Sequence, residues 1–166
     1  MPKFFDRYIN LADNSVLVLD ALEQGASFEN LMPAKTLEAL GDLRYAPDKW
    51  TVKDILQHLI DNERIMSYRA LRFARNDQTE LPGYDEESFG KHTNATQRTI
   101  ADLYAEYAMV RQSSIALFNS FDDEMLLRSG IASHQSISVL ALGFVLVGHV
   151  THHINIIRER YLPLLS

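Results

Sequence analysis

Apolar side chains recur at three- and four-residue steps through most of the chain, which is the spacing of amphipathic α-helices. We predict four long helices on this basis, over residues 3–23, Thr51–Arg75, Ala95–Asn119 and Ser136–Tyr161. No segment shows the strict alternation of a half-buried strand, and no internal repeat is present in the sequence. The pattern predicts an all-α single domain covering residues 1–166, with a four-helix bundle as the default architecture.

The ends of these helices carry local signals. Thr51 followed by Asp54 has the pattern of a capping box at the start of the second helix, with Asp where Glu is usual. Residues 24–50 are less regular and support one or two short helices. Asp122–Gln135 is predicted to be a polar connection with a helical turn at Asp123–Arg128.

The connection between the second and third helices, Asn76–Asn94, is predicted to be non-helical and is unusually long. Helix connections in bundles rarely exceed about eight residues. A loop of this length needs a structural reason, and the turn residues Leu81–Asp85 within it give none by themselves.

Composition excludes several classes of function. The net charge of −6 argues against a nucleic-acid partner, because binding phosphates needs a concentrated basic surface. The absence of cysteine excludes disulfides, thiolate metal sites and a cysteine nucleophile. The N-terminus lacks the apolar run of a signal peptide, so we expect a cytoplasmic protein.

One segment has the length of a membrane-spanning helix. Ile137–Ile157 contains no Asp, Glu, Lys or Arg. Its second half, however, holds three histidines together with Thr151 and Asn155. We therefore interpret it as a buried bundle helix and predict no membrane partner.

The fourth helix carries the candidate chemistry, in the sequence Gly148–His153. His149 and His153 are four residues apart, so both rings point to one side of the helix, on the edge of its apolar face. His152 falls on the polar side. Neutral imidazole is a good ligand for divalent metals, and three histidines with an open fourth position are typical of catalytic zinc sites.

His58 is the best candidate for a third ligand, because it lies at the border of the apolar face of the second helix. An alternative stays open: the three residues are core histidines, each hydrogen-bonded to a neighbour. No His-Glu-x-x-His pair, Glu-x-x-His pair or Gly-rich phosphate loop is present in the sequence. These absences argue against common metalloproteases, di-iron carboxylate bundles and phosphate-loop proteins.

The histidine positions also predict a topology. His58 lies near the start of the second helix, whereas His149 and His153 lie near the end of the fourth. For the three to meet, these helices must be antiparallel, which an up-down-up-down bundle does not allow. An up-down-down-up bundle does, provided that the connection Asn76–Asn94 crosses back along its length. A crossing connection thus accounts both for the length of the loop and for the meeting of the three histidines.

This arrangement brings further residues near the proposed metal. The candidates for contacts behind the ligands or with a substrate are Asn62, Asp61, Tyr84, His92 and His152. Asp61 is also a candidate general base. Arg69 and Arg72 continue the stripe of His58 but lie roughly 16–21 Å along the helix axis. We expect them on a solvated face or a subunit contact.

Four segments together resemble the DinB-like (DinB/YfiT-like) family of metal-dependent enzymes. They are Tyr45–Asp61, Arg69–Arg75, Leu81–Asp85 and Gly148–His153, and the resemblance spans residues 45–161. It implies an up-down-down-up four-helix bundle, often dimeric. It also implies one divalent metal, commonly nickel or zinc, with iron and manganese as alternatives, held by His58, His149 and His153.

The resemblance implies two kinds of activity on a small molecule. One is a thiol-dependent S-transferase that uses a low-molecular-weight thiol, and the other is a hydrolase. The metal would act as a Lewis acid that lowers the pKa of a thiol or water. The alternative hypothesis is a non-catalytic dimeric helical module whose metal site is structural or vacant.

Overall fold

The computed structural model describes residues 5–166. Its α-helices are α1 (Asp6–Ile9), α2 (Val18–Gln24), α3 (Phe28–Leu31), α4 (Ala34–Leu40), α5 (Val52–Ala74), α6 (Glu86–Lys91), α7 (Ile100–Asn119), α8 (Asp123–Leu127) and α9 (Val139–Ile156). Two strands, β1 (Ser129–Ala132) and β2 (Gln135–Ser138), pair as an antiparallel hairpin. Short 3₁₀ turns lie at Ala95–Gln97 and Leu162–Leu165, and a π turn extends α9 over Ile157–Tyr161.

The start of α5 is set by the predicted capping box. The Thr51 hydroxyl accepts from the Asp54 backbone N–H at 3.1 Å, and the Asp54 carboxylate accepts from the Thr51 N–H at 2.9 Å. Two donors that the first helical turn would leave free are thereby satisfied. The box fixes where α5 begins, and so places His58 two turns into the helix.

The prediction of one helix over residues 3–23 is wrong within the described residues. α1 ends at Ile9 and α2 begins only at Val18. Between them the Asp13 carboxylate accepts from the backbone N–H of Ser15 at 2.9 Å and from its hydroxyl at 2.5 Å. Such a local side-chain bond competes with helical hydrogen bonding and explains the break. Residues 3 and 4 of the predicted helix lie outside the described residues.

The crossover between α5 and α7 is partly helical, so its prediction as a non-helical connection is wrong over Glu86–Lys91. The Asp85 side chain accepts from the Ser88 N–H at 3.0 Å and caps this short helix. The third long helix also begins later than predicted. Its cap is Thr99, whose hydroxyl accepts from the Asp102 N–H at 3.0 Å.

The hairpin β1–β2 contradicts the prediction that the chain has no strand. Its two-residue turn consists of Ser133 and His134, with φ of 53° and 61°. Such turns favour Asn-Gly. This chain has Ser-His instead, so the sequence carries no recognisable hairpin signal there. Leu81 of the crossover forms a parallel bridge with Ala132. The hairpin therefore anchors the crossover, and it delays the start of the last long helix from Ser136 to Val139.

Contacts between helices give their relative directions. The Arg98 guanidinium, just before α7, donates to Gln57 at 2.7 Å, and Ser67 lies 2.9 Å from Ser114. Residue numbers rise together along both elements, so α5 and α7 run in the same direction.

α7 and α9 run in opposite directions. Arg111 donates to the Leu146 carbonyl at 3.4 Å, and a Cβ on Gly143 would lie 2.8 Å from the Phe118 ring. Because the residue numbers fall on α9 as they rise on α7, the end of α9 lies level with the beginning of both α5 and α7.

Two apolar clusters fill the interior. One includes Phe73, Phe118 and Leu142, and the other includes Leu59, Leu103 and Ile154. On α5, α7 and α9 alike, the change from one cluster to the other occurs at buried polar residues, namely His58, Asn62, Glu63, Arg111, Ser114, His149 and His153. A polar layer therefore crosses the protein where the two clusters meet.

The last long helix is apolar enough and long enough to cross a membrane by composition alone, over Val139–Leu165. However, 61% of its most apolar window is buried inside the protein. It packs mainly against α1, α2 and α5. This burial is that of a core helix.

α1 crosses α9 closely at Gly148. A Cβ built on this glycine would lie 1.8 Å from the Tyr8 carbonyl oxygen, which belongs to the backbone and has no rotamer with which to move away. Only a residue without a side chain therefore allows α1 to lie beside the histidines of α9.

Gly148→Ala is expected to destabilise the protein by about 1–3 kcal/mol, as overpacking in a core does. Alanine gains about 1 kcal/mol of helix propensity over glycine, but the backbone clash with α1 outweighs it. Denaturant unfolding measures the change in free energy. Thr151→Ala, on the half-exposed side of the same helix, is the control and should change stability little. Equal stability of Gly148→Ala and the wild type would contradict the close packing of α1.

Candidate metal centre

Three imidazole rings meet where α5 and α9 pack together. Nε2 of His149 lies 3.0 Å from Nε2 of His58 and 3.1 Å from Nε2 of His153. One candidate ligand nitrogen from each ring lies within 4.8 Å of the other two, and the cluster has no fourth member among residues 5–166. The structure thus brings together the three histidines that the sequence predicts as ligands.

The rings are deeply buried and neutral. His58, His149 and His153 are 6%, 3% and 8% exposed. Burial, together with electrostatic repulsion from His152, lowers the pKa of His58 to about 4. Burial, together with the neighbouring imidazoles, holds the pKa of His149 and of His153 well below the ordinary value. Neutral imidazole is the form that binds a metal.

Hydrogen bonds alone satisfy this cluster poorly. A neutral imidazole has one N–H donor and one acceptor nitrogen, so Nε2 of His149 can donate or accept but not both. It nevertheless faces two other Nε2 atoms. Nδ1 of His153 is buried with no partner among the described residues.

A central cation fits the same geometry better. With metal–nitrogen bonds of about 2.0–2.1 Å, a tetrahedral ion holds its nitrogen ligands roughly 3.3 Å apart. The two nitrogen separations in the structure, 3.0 and 3.1 Å, need only a small expansion to match it. The residues present therefore fit a divalent metal, with one candidate ligand nitrogen from each ring within 4.8 Å of the other two.

Two aromatic side chains hold the rings in place. Trp50 lies with its ring centre 4.8 Å from that of His58 and stacks over His153 at 6.4 Å. Tyr8 on α1 packs edge-on against His149 at 4.9 Å. The position of Trp50 just before the cap of α5 was readable from the sequence, whereas Tyr8 reaches the site only through tertiary packing.

A cavity of about 350 Å³ opens in front of the cluster. Its wall combines the rings of His58 and His153 with aromatic and charged side chains, namely Tyr8, Tyr45, Asp48, Lys49, Trp50, Glu86, Glu87, His152 and Tyr161. A small molecule can therefore reach the histidines from the side that α6 borders.

His152 has the place that the sequence predicts. It lines the cavity, and its ring lies 5.1 Å from that of His153 and 5.5 Å from that of Tyr8. Burial lowers its pKa, with a further contribution from Arg7. It borders the site without joining the three converging nitrogens.

Asn62 and Tyr84 are hydrogen-bonded to each other and do not line the cavity in front of the histidines. The Asn62 amide donates to the Tyr84 hydroxyl at 2.7 Å, which ties α5 to the crossover. The Asn62 carbonyl oxygen is buried with no partner among the described residues. Burial raises the pKa of Tyr84 to about 12. Neither residue belongs to the part of the cavity wall that the structure describes.

Asp61 and His92 also lie away from the cavity wall. Asp61 accepts from Gln57 at 2.9 Å and lies 3.9 Å from Arg64, on the side of α5 that faces Arg98. Burial raises its pKa, but it does not line the cavity. His92 is exposed and donates to the Ser88 carbonyl at the end of α6.

Glu86, unlike Asp61, places a carboxyl group in the wall of the histidine cavity. It begins α6 and lines the cavity together with His58 and His153. Burial raises the pKa of Glu86, against the opposing effect of Arg7. The pKa of this wall residue is thereby moved toward neutrality, and proton exchange with a ligand is open to it.

Arg69 is not on a solvated face, so that expectation is wrong. It is 3% exposed, and it donates to the Pro82 carbonyl at 2.9 Å and to the Ser133 hydroxyl at 3.1 Å. It joins α5 to the crossover and the hairpin. Arg72, one turn on, is part-exposed and pairs with Asp77.

A buried ion pair lies behind the site, and the sequence analysis missed it. The Arg111 guanidinium donates to both Glu63 carboxylate oxygens, at 2.8 and 2.9 Å, and Arg111 is 0% exposed. Burial alone would lower the pKa of Arg111, but Glu63 raises it overall. Further bonds to the carbonyls of Leu22 and Leu146 join α2, α5, α7 and α9 around one guanidinium.

Comparison with known proteins agrees with this architecture. A family model described as the DinB superfamily matches residues 27–157. A solved structure of YfiT from Bacillus subtilis superposes with a TM-score of 0.63 at 20% identity, covering 99% of this chain and 86% of that one. It is described as a probable metal-dependent hydrolase with an unusual four-helix bundle topology. The sequence has no match among curated proteins.

Proposed function

Because the chain belongs to the DinB superfamily, we propose that it is a metal-dependent enzyme whose divalent ion is held by His58, His149 and His153. The observation that carries the proposal is the convergence of three buried, neutral imidazoles, two of which, His58 and His153, line an open cavity. We propose nickel or zinc as the metal, with iron and manganese as alternatives.

A catalytic role fits better than a structural one. Structural zinc sites are closed by four protein ligands, whereas catalytic sites keep an open position. The cluster has three members among residues 5–166, and the cavity lies directly before them. When bound, the metal supplies Lewis-acid chemistry, lowering the pKa of a thiol or water held beside the histidines.

The chain's own residues provide the remaining functions. Trp50, Tyr8 and Tyr161 form apolar walls that exclude part of the solvent. We assign proton transfer to the Glu86 carboxyl group in place of Asp61, because Glu86 lines the cavity and Asp61 does not. Its raised pKa lets it hold or release a proton nearer neutral pH.

The reaction is proposed as hydrolysis or thiol-dependent S-transfer on a small molecule. The description of YfiT supports the first. The second agrees with the lack of cysteine in the chain, since the thiol would come from a low-molecular-weight cosubstrate. We further propose a cytoplasmic homodimer that acts without nucleic acid or membrane.

The up-down-down-up topology belongs to the same proposal. The common direction of α5 and α7 and the opposite direction of α9 support it. So does the contact of early α5 with late α9 through the three histidines.

Metal analysis followed by activity screening tests the proposal. Protein purified without chelator should contain about one divalent ion per chain. Activity in p-nitrophenyl acetate hydrolysis, or in conjugation of glutathione to an electrophile, should vanish on chelation and return with the metal. The Co²⁺-loaded protein should change its visible absorption when 2-mercaptoethanol is added, because an open position admits the thiol.

The competing function is a non-catalytic helical module with a structural or vacant site. A metal whose spectrum does not respond to any added ligand would favour a structural role. Protein that contains no metal and does not take one up would favour hydrogen-bonded core histidines, and either result would contradict the enzyme proposal.

A further inference from the structure

Arg69 is a buried cation with no carboxylate in direct contact among the described residues. It is 3% exposed, and among residues 5–166 no carboxylate oxygen lies within ion-pair distance of its guanidinium. Its partners are the Pro82 carbonyl, the Ser133 hydroxyl and the Met66 sulfur. Buried charges in proteins are usually paired, because removing a charge from water costs several kcal/mol.

Arg111 shows how the same protein neutralises a structural arginine. That guanidinium is also buried, and it forms a bidentate ion pair with the Glu63 carboxylate. Arg69 has only neutral hydrogen-bond acceptors, and burial lowers its pKa although Tyr84 and Glu86 act in the opposite direction. The hydrogen bonds to Pro82 and Ser133 hold the guanidinium in position, and Glu86, which lies beyond ion-pair distance, compensates its charge only in part.

The guanidinium borders a cavity. Arg69 lines a pocket of about 410 Å³ together with Tyr84 and Ser133. Glu86 and Glu87 line both this pocket and the histidine cavity, so the two spaces adjoin. A ligand in the pocket would contact the cation on one side and the border of the metal site on the other.

We propose that this pocket is an anion subsite in which Arg69 binds a small-molecule carboxylate. The planar guanidinium group of arginine can donate two parallel hydrogen bonds to one carboxylate. A monoanion suits the pocket better than a phosphate dianion, because Glu86 and Glu87 in the same wall repel added negative charge. The carboxylate of Asp85, also in the wall, is turned to the N–H of Ser88 in its own helix cap.

The subsite suggests a substrate class for the adjoining site. A carboxylate-bearing molecule that occupies the Arg69 pocket can extend past Glu86 toward the histidines. This step rests on the proposed function, whereas carboxylate binding itself does not require a metal.

Benzoate binding to metal-free protein tests the subsite. With wild-type protein treated with chelator, benzoate should shift the Arg69 Nε–H resonance in a saturable way. Arg69→Met should weaken binding about ten- to a hundredfold, the range expected for losing hydrogen bonds to a charged group. Arg72→Met is the matched control, because Arg72 lies one turn on and already pairs with Asp77, and it should bind benzoate as the wild type does.

Several results would overturn the proposal. An Arg69 Nε–H signal that benzoate leaves unchanged in the wild type decides against it, even if Arg69→Met fails to fold. Unchanged affinity in a folded Arg69→Met variant does the same. A larger response to inorganic phosphate than to benzoate would show that the ligand class is wrong. Since the protein is metal-free throughout, none of these results bears on whether the metal-dependent reaction exists.

Discussion

His58→Ala and His153→Ala are each expected to lose the bound metal ion, leaving well below one equivalent per chain after gel filtration. Each substitution removes one of three ligands from a site that has no fourth ligand among the described residues. Elemental analysis of wild type and variants purified in parallel measures the loss. Unchanged metal content in either variant would show that the assignment of the ligands is wrong.

The same variants should lose the stabilisation that the metal confers. A free metal concentration about a thousandfold above the dissociation constant stabilises the folded state by roughly 4 kcal/mol. Chelator should therefore lower the melting temperature of the wild type but leave that of His58→Ala unchanged. His152→Ala is the matched control, since its ring borders the cavity outside the converging nitrogens, and it should keep both the metal and the response to chelator.

Breaking the buried pair of Arg111 and Glu63 is expected to have the largest effect on stability. Arg111→Met leaves the Glu63 carboxylate buried without its partner, and losing one member of such a pair costs about 3–5 kcal/mol. It also removes the bonds to the carbonyls of Leu22 and Leu146. Denaturant unfolding should show the loss directly.

A double-mutant cycle separates the pair from its surroundings. Glu63→Gln alone should also be strongly destabilising, because the cation then lacks its counter-ion. The variant with both substitutions should be more stable than the sum of the single changes predicts, since neither charge is left alone. Strict additivity would contradict a direct pair. Arg64→Met is a surface control, because Arg64 is half-exposed where it meets Glu106, and it should cost at most about 1 kcal/mol.

The histidine cluster was the part of the site most open to prediction. The spacing of His149 and His153 is a property of any helix, so it needs no knowledge of the fold. His58 lies at the border of the apolar face of its helix, and the connection Asn76–Asn94 is long enough to cross the bundle. Together these features predicted that α5 and α9 are antiparallel and bring the three histidines together. The structure brings the three rings together, and their binding of a metal stays a prediction until it is measured.

The third long helix shows where periodicity fails. Helical spacing from Ile100, Leu103 and Tyr107 predicts that Val110, Ser114 and Leu117 also face inward. The structure buries the first three and Ser114, but it leaves Val110 and Leu117 half-buried and buries Arg111 and Phe118 in their place. A hydrophobicity pattern places arginine outside by default. Only the presence of Glu63, 48 residues earlier in the chain, makes that burial favourable. Arg69 was misplaced for the same reason.

The sequence by itself determined the features that depend on neighbouring residues. Helical periodicity defined α5 and α9, the Thr51 capping box set the start of α5, and four-residue spacing paired two histidines. Tertiary structure alone decided the anchoring of the crossover by the hairpin and the buried partners of Arg69 and Arg111. These depend on which distant groups are packed together, and burial changes the free energy of a charge far more than local spacing does.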